Sequence, residues 1–547
     1  MNGIDIVLWV LAVAPVVLLI VLVASGRVRT VPAAAITLAT ACVIAVAAFG
    51  ASGQGMVTAL TKGLWTGVWI AAVIWAALLL SAVSRRMGMD DIGGTLSSVL
   101  PRQTENILIV AWIFPSFIQG VAGFGTPIAI AAPMLLSMGV RPVLAVALPV
   151  IGYHWSVGLG SVGSSFYMGA LTAQLSEAET LQFAATVTIL LGVNAIVAGL
   201  LVAVMFAGRQ GLREGWRVIV VAGPAMAVVQ ALVARLEPGV GAIAGGAAGM
   251  VVIALMAAMS RRIRRPVTTR VDVQVTVPSI PDRGGGSSDA LSEADGDRAA
   301  RPRRNLAVVM LPYFALLVLA LAVLVPPAVR QWVRGHLTWG PSFPAASTSK
   351  GFHVDAVDGF QPFSVLAHPG SFIVAATLLA ILAWQIMGQW PRGALRELLP
   401  SWLTAARKAS WSVLLFASVA TVMADSGMVR TVAEGIAEAT GRYYPALAGA
   451  IGALGSFTTG STTNSNALFA GLQADVARLI DVAPGALVAA QTAGGNVGNA
   501  VAPVILLLGA SAVGMRDELR PILRAVMLPA AVLLLTVMGL TYALVSL

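Results

Sequence analysis

Charged residues are scarce in this sequence. Only 11% of its 547 residues are Asp, Glu, Lys or Arg, and 58% are hydrophobic, whereas soluble domains carry about 25% charged residues. A chain with so little charge cannot cover a soluble fold with polar surface. Apolar runs recur along the whole sequence, each near the ~20 residues that a helix needs to cross a bilayer. The sequence therefore predicts an all-α membrane protein with about 12–14 transmembrane helices.

Cysteine is nearly absent, and the common signatures of catalytic sites are missing. The one cysteine, Cys42, allows neither a disulfide framework nor a cysteine-based metal site. The sequence contains no HExxH, GxSxG or Walker-type motif and no cluster of Cys and His. We therefore expect no enzymatic activity, no cofactor and no metal site.

The positive charges concentrate in the short gaps between apolar runs. The net charge is +10, but this spacing follows the positive-inside rule and predicts cytoplasmic loops rather than nucleic-acid binding. No basic residue precedes the first apolar run, 5–24. A cleaved signal peptide needs a basic start, so we interpret this run as a retained helix with an extracytoplasmic N-terminus.

Polar stretches divide the chain into two halves. Residues 261–304 are rich in Gly, Ser and mixed charge, a composition that predicts a disordered cytoplasmic linker. The linker separates a first transmembrane half, 1–260, from a second half, 305–547. A further polar connection at 326–368 is predicted to lie on the extracytoplasmic side.

Each half contains the same irregular pattern. Within 105–166 and again within 443–513, a glycine-rich break, an apolar segment, a short connection, another apolar segment and a second glycine-rich break follow in order. A helix that is interrupted inside hydrocarbon exposes costly backbone groups, so such breaks survive only where they are buried in protein or line a cavity. In secondary transporters, the exposed helix N-termini at such breaks bind anions.

The residues at the breaks fit this interpretation. Thr126 is predicted to cap a helix that begins at Pro127, and one of Thr463, Asn464 and Ser465 is predicted to cap the helix that follows the third break. The alternative is that the small residues only allow tight helix packing. The predicted substrate-binding residues are Gly123, Gly125, Thr126, Ser161, Ser164, Thr463, Asn464, Ser465, Asn466, Thr492 and Asn496.

Two ionisable residues are predicted at membrane depth. His154 precedes the second break, and Asp425 follows an apolar run. Ionisable groups within a membrane are candidates for function, and both residues are candidate proton carriers. The alternatives are a structural histidine bonded to a carbonyl and an aspartate at a water-facing helix end. Arg141 is predicted to be a turn residue at a hairpin tip.

Four motifs resemble those of the L-lactate permease family. They are "FIQGVAGFGTPIAIAAPMLLSMG" (117–139), "EGWRVIVVAG" (214–223), "DSGM" (425–428) and "TGSTTNSNALFAGLQADVARLIDVAPGALVAAQTAGGNVG" (459–498). The resemblance implies a multi-pass protein of the bacterial inner membrane, built from two inverted repeats with helical hairpins. It implies proton-coupled symport of lactate, glycolate or a similar 2-hydroxy monocarboxylate, with an elevator-like movement of the site.

The sequence departs from the family pattern at charged positions. Gln119 stands where the family has an acidic residue, Thr462 replaces an aspartate, and Asn499 replaces a lysine. Two consequences remain open: backbone amides and hydroxyl groups bind the anion, or the substrate is a different organic anion. Sodium coupling instead of proton coupling, an ion channel and a homodimer also remain open.

Overall fold

The computed structural model describes residues 5–25, 27–88, 99–121, 123, 125–263, 306–324, 326–515 and 518–546. Most of the predicted linker at 261–304 lies outside these residues. Nearly all of the described chain is helical. The helices of the first half are α1 (Ile6–Ala24), α2 (Thr30–Ala47), α3 (Gly53–Arg86), α4 (Gln103–Val121), α5 (Thr126–Ser137), α6 (Pro142–Tyr153), α7 (Gly160–Thr172), α8 (Glu177–Ala234) and α9 (Pro238–Ile263).

The second half has the same helical character. Its helices are α10 (Leu306–Val309), α11 (Leu311–Leu324), α12 (Pro327–Gly335), α13 (Pro369–Ile386), α14 (Ala394–Asp425), α15 (Met428–Thr440), α16 (Tyr444–Thr459), α17 (Thr462–Leu479), α18 (Pro484–Val501), α19 (Pro503–Ala512) and α20 (Leu519–Ser546). Among the described residues, eight helices are long and apolar enough to cross a membrane, or up to twelve if each bent helix pair is one span. The predicted class, an all-α polytopic membrane protein, is confirmed.

Local sequence explains where several helices begin and bend. Asp5 caps α1 by accepting hydrogen bonds from the N–H groups of Val7 and Leu8, which satisfies two of the free donors at a helix start. Helix α8 has non-helical backbone angles at Ala207 and Gly208. Its two arms pack against each other, since a methyl group on Gly192 would contact Ala227.

The predicted polar connection at 326–368 is an ordered segment. It contains α12 and four short strands, β1 (Thr338–Trp339), β2 (Ala346–Ser347), β3 (His353–Val354) and β4 (Phe363–Ser364). β1 pairs with β4, and β2 pairs with β3, both antiparallel. The segment packs along α3, where the indole N–H of Trp65 donates to the carbonyl oxygens of Phe360 and Gln361.

Two hairpins, one in each half, hold the interrupted helices. In the first, α5 and α6 are joined at 138–141, and Arg141 lies at this connection as predicted. In the second, α17 and α18 are joined at 480–483. Each hairpin follows one helix, α4 or α16, and precedes another, α7 or α19. The order of elements is thus the same in both halves, and an inverted relation between them remains a prediction.

The prediction of a fourth break at the glycine-rich stretch "GGNVG" (494–498) is wrong. Gly494 and Gly498 lie inside α18, which continues to Val501 and bends by 43° into α19 at Ala502. A methyl group on Gly494 or Gly498 would overlap backbone carbonyls of α16, those of Gly449 and Ala453. These glycines therefore allow α16 and α18 to pack closely, as small residues do at the interfaces of membrane helices.

Candidate functional site

The first and second breaks lie against each other. Gly125 has φ +84° and precedes α5 as its cap, so Thr126 is the first helical residue and not the predicted cap. The Thr126 hydroxyl instead accepts a hydrogen bond of 2.7 Å from the guanidinium group of Arg85. A side chain on Gly123 would overlap the hydroxyl of Ser161. Only glycine therefore permits this approach of the two breaks.

The second break has a strained backbone. Ser161, Val162 and Gly163 have φ values of +48°, +51° and +78° in succession. For a residue with a Cβ atom this left-handed conformation costs about 1–3 kcal/mol, and strain of this kind clusters at functional sites. His154 precedes the break and is fully buried. Its Nδ1 atom lies 2.8 Å from the carbonyl oxygen of Ile151. For this ring nitrogen, the structure agrees with the alternative of a structural histidine bonded to a carbonyl.

The third break begins α17 with a cap other than the predicted ones. Gly460 has φ +70°, and Ser461 caps the helix by accepting a hydrogen bond of 3.3 Å from the N–H of Asn464. The prediction of a cap at Thr463, Asn464 or Ser465 is wrong because these residues already belong to the helix. Their side chains are consequently free to make contacts between helices.

Polar side chains join the two halves at the centre of the protein. The hydroxyl of Thr463 lies 2.9 Å from that of Ser165 and 3.4 Å from that of Ser164. Asn466 donates at 2.8 Å to the carbonyl oxygen of Ser165 and at 2.8 Å to the hydroxyl of Thr492. The starts of α7 and α17 therefore lie side by side, and α18 completes the cluster.

A second contact extends the cluster to the residues before α7. The amide of Asn496 donates at 3.3 Å to the carbonyl oxygen of Trp155. Since Asn466 and Asn496 both use the side-chain N–H₂ group to bond a carbonyl, the orientation of each amide is fixed. Ser465 has different partners, because its hydroxyl donates to the carbonyl oxygen of Gly452 and so faces α16.

Several buried polar atoms of this region have no hydrogen-bond partner among the described residues. They are His154 Nε2, Trp155 Nε1, Ser456 Oγ, Thr462 Oγ1, Asn464 Oδ1, Asn466 Oδ1 and Asn496 Oδ1. Leaving a buried polar group unpaired costs about 1–3 kcal/mol, and each such group calls for an explanation. The three amide oxygens among them can only accept, so they are suited to a ligand hydroxyl group or to a cation.

The three departures from the family pattern lie at the breaks. The Gln119 side chain is within reach of both Gly123 and Gly160, and Thr462 opens α17. Asn499 donates at 3.1 Å to the carbonyl oxygen of Gly460. This asparagine therefore satisfies a backbone group that the third break exposes, a task for which a neutral amide is sufficient.

Asp425 lies apart from the breaks, at the C-terminal end of α14. Its side chain is 8% exposed and lies 3.1 Å from the ammonium group of Lys62, which is 3% exposed. Lys62 was not among the candidate residues predicted from the sequence. The signal was a lone lysine in "TALTKGLWTG" (58–67), and a charge at membrane depth is a candidate for function.

Comparisons with known proteins agree with this architecture. Residues 9–547 match the sequence profile described as L-lactate permease. The glycolate permease GlcA of Escherichia coli strain K12 is 28% identical over 535 residues, which cover 92% of this chain and 90% of that protein. The L-lactate permease of the same strain is 27% identical over 499 residues, or 88% and 86% of the two chains.

A solved structure shares the fold at low sequence identity. The MtrF protein of Neisseria gonorrhoeae, described as one of a class of antimetabolite efflux pumps, has a TM-score of 0.51 and 14% identity, with 95% of this chain and 96% of that chain covered. At this identity the likeness concerns the fold alone.

Proposed function

The chain belongs to the L-lactate permease family, and on this basis we propose that it is a secondary transporter that takes up a small 2-hydroxy monocarboxylate, lactate or glycolate, together with protons. The family profile and its relatives are described as permeases, so the chain is a membrane transporter rather than an enzyme. The bacterial inner membrane is its proposed location, with the N-terminus on the extracytoplasmic side.

One observation carries the proposal: the polar cluster between α7, α17 and α18 is buried and incompletely hydrogen-bonded. Thr463 and Asn466 from the second half contact Ser164 and Ser165 from the first. Buried acceptors on Asn464, Asn466 and Asn496 lack donors within the described part of the chain. The hydroxyl group of a 2-hydroxy acid is a donor of the kind that these oxygens need.

The carboxylate of the substrate requires donors instead. We propose that the N–H groups at the start of α17 and the hydroxyls of Ser161, Ser164 and Thr463 supply them. A helix N-terminus carries partial positive charge and free N–H groups. This mode of binding needs no buried cation at the breaks, which accounts for the tolerance of Asn499 where the family has a lysine.

Proton coupling is the proposed mode, with His154 as the carrier. Its Nε2 atom is buried and has no partner among the described residues, so a proton bound there would find a bonding group only in a ligand or a rearranged neighbour. Sodium coupling is the second candidate, because the free oxygens of Asn466 and Asn496 are the hard ligands that such a cation prefers.

Uptake by purified protein in proteoliposomes tests the proposal. We expect accumulation of labelled L-lactate or glycolate that depends on an inward proton gradient and stops when an ionophore dissipates the gradient. Uptake that follows an imposed sodium gradient at constant pH would support the second candidate. A lack of uptake of both anions under either gradient would reject the proposed substrate class.

Replacing Thr492 tests whether the polar cluster is the site. Thr492 accepts from Asn466 and donates at 2.9 Å to the carbonyl oxygen of Val488. We expect Thr492→Ala to lower lactate uptake at least tenfold, because the side-chain amide of Asn466 loses one of its two hydrogen-bond partners and is held less firmly. Thr541→Ala is the matched control, since Thr541 is also buried and also bonds the carbonyl four residues earlier. Equal uptake by the two variants would contradict the placement of the site.

A further inference from the structure

A second polar region lies apart from the breaks, around Lys62 and Asp425. These side chains form the one ion pair among the described residues in which both members are less than 10% exposed. They line a cavity of about 460 Å³ that also contacts Thr172, Asp475, Arg478 and the strand residues His353 and Val354. We call this cavity the vestibule. Its volume is within the range of small-molecule sites.

Both Asp425 and Lys62 lie at positions where a charged group requires a partner of opposite charge. Asp425 is the last residue of α14, and a carboxylate at the C-terminal end of a helix is opposed by the helix dipole. Lys62 is the one charged residue in the first half of α3. Two buried charges recover their desolvation cost only with good geometry and further hydrogen bonds, so the single hydrogen bond between Lys62 and Asp425 is a weak source of stability.

The ammonium group of Lys62 has bonding capacity to spare. It carries three donors, and among the described residues Asp425 is the one acceptor that it bonds. The rings of Phe343 and Phe360 lie 5.8 Å from its nitrogen, and such cation–π contacts hold the charge without using its N–H groups. Two N–H groups therefore remain for a ligand.

Arg478, the second cation that lines the vestibule, already forms ion pairs. Arg478 lies 3.5 Å from both Glu179 and Asp475. Of the two cations that line the cavity, Lys62 is thus the one with donors available. Beside these groups stand the exposed His353 and Asp355, which bond each other at 3.2 Å.

The vestibule shares two helices with the proposed transport site. Thr172 ends α7, the helix that begins at the second break, and its hydroxyl donates to the carbonyl oxygen of Asn466. Asp475 and Arg478 lie near the end of α17, the helix that begins at the third break. Ser164 and Thr172 are eight positions apart in α7, which corresponds to about 12 Å of helix. An anion in the vestibule would therefore be about two helical turns from the breaks.

We propose that the vestibule is a second binding site for the carboxylate of the transported anion, held by the free N–H groups of Lys62. This inference rests on the proposed function, since it takes the same monocarboxylate as ligand. Asp425 bonds the same ammonium group and competes with the incoming carboxylate, so the site binds its ligand weakly. A neutral ester of the same acid has no carboxylate to offer and does not bind there.

Equilibrium binding of labelled L-lactate to the purified full-length protein tests the inference. We expect two sites in the wild type. Lys62→Gln loses the weaker site, with a loss of affinity of at least tenfold, and Asn466→Ala loses the other. Asp425→Asn removes the competing carboxylate and tightens the weaker site several-fold.

The double variant Lys62→Gln with Asp425→Asn separates binding from a structural role of the ion pair. It restores charge balance, so a purely structural pair predicts recovered binding, and a carboxylate site on Lys62 predicts that the weaker site stays lost. Melting temperatures of the four variants show whether each is folded.

The outcomes distinguish the inference from the proposed function. A single site that depends on Asn466 and not on Lys62 overturns the vestibule and leaves the proposed function standing. A single site that depends on Lys62 alone supports the vestibule and rejects the site at the breaks. No lactate binding by the folded wild type overturns both.

Discussion

Buried amide oxygens without donors are the main functional signal among single residues. The side-chain N–H₂ groups of Asn466 and Asn496 donate hydrogen bonds to backbone carbonyls from the first half of the chain. Their oxygens are left unpaired at a cost of about 1–3 kcal/mol each. The same two residues thus join the halves and hold acceptors ready for a ligand, which couples the packing of the centre to its chemistry.

Glu237 is a second residue of interest that no sequence motif singled out. It lies between α8 and α9, where its carboxylate accepts hydrogen bonds from the hydroxyl of Tyr167 and, at 3.2 Å, from the N–H of Gly239. Burial raises the pKa of this carboxyl from 4.5 to about 7, and the N–H of Gly239 and the charge of Arg334 oppose the rise. Tyr167 lies on α7, six residues after the break at Ser161, so Glu237 contacts the helix that begins at the second break.

This shift predicts a pH dependence of stability. The pKa of Glu237 is higher in the folded protein than in the unfolded chain, so folding favours the protonated form. The contribution to stability is full below pH 4.5 and is lost as the pH rises to about 7 and beyond. We expect the melting temperature of the wild type to fall over this range and that of Glu237→Gln to fall less.

The control for this prediction is an exposed glutamate. Glu434 pairs with Arg430 at the protein surface, and Glu434→Gln should keep the slope of the wild type. Melting curves in detergent between pH 5 and pH 8 measure the effect. An identical slope for wild type and Glu237→Gln would show that Glu237 does not take up a proton in the folded state over this range.

At the scale of helices, glycine has two roles that sequence alone did not separate. Gly125 and Gly460 have positive φ and end or begin a helix, as the interpretation of breaks required. Gly494 and Gly498 have ordinary helical angles and allow α18 to approach α16. Both roles produce glycine-rich stretches in an apolar chain, so the backbone angle decides between them.

The packing role predicts a large effect of small substitutions. A methyl group on Gly452 or Gly498 would overlap the carbonyl oxygen of Gln491 or Ala453 across the contact between α16 and α18. Because a carbonyl of the helix backbone cannot move aside, we expect Gly452→Ala and Gly498→Ala to lower the free energy of unfolding by about 1–3 kcal/mol each.

Gly539 provides the control within another helix. It lies in α20, where a methyl group added to its Cα atom would have no neighbour within 4 Å. Alanine favours a helix over glycine by about 1 kcal/mol, so Gly539→Ala should leave the melting temperature unchanged or raise it. If Gly452→Ala and Gly539→Ala melted alike, the close contact between α16 and α18 would be disproved.

At the scale of the whole molecule, two groups of helices pack against each other. Helices α3 and α14 pack closely along their length, with Gly63 and Gly67 against the backbone of Ser418 and Leu414. The hairpins and α7 form the other group. Gln361 connects the groups, because it accepts from the hydroxyl of Thr66 on α3 and donates at 3.0 Å to the carbonyl oxygen of Leu171 on α7.

An elevator-like movement predicts that this connection must break during transport. We expect a short cross-link between cysteines at 171 and 361, in the Cys42→Ser background, to block lactate uptake in proteoliposomes. A cross-link between cysteines at 86 and 397 is the control, since Arg86 and Glu397 join α3 and α14 at 2.8 Å within one group. Undiminished uptake with the first pair fully cross-linked would rule out a movement of α7 relative to α3.

The sequence by itself determined the membrane class, the family resemblance and the position of three breaks, because hydropathy and glycine–hydroxyl motifs are local properties of the chain. It named Thr463, Asn466 and Thr492 for the same reason. Only the tertiary structure decided that Ser165 meets Asn466, that Ser461 caps α17 and that Lys62 pairs with Asp425. Lys62 and Asp425 are 363 residues apart, and no local pattern records which distant helix supplies the partner of a buried charge.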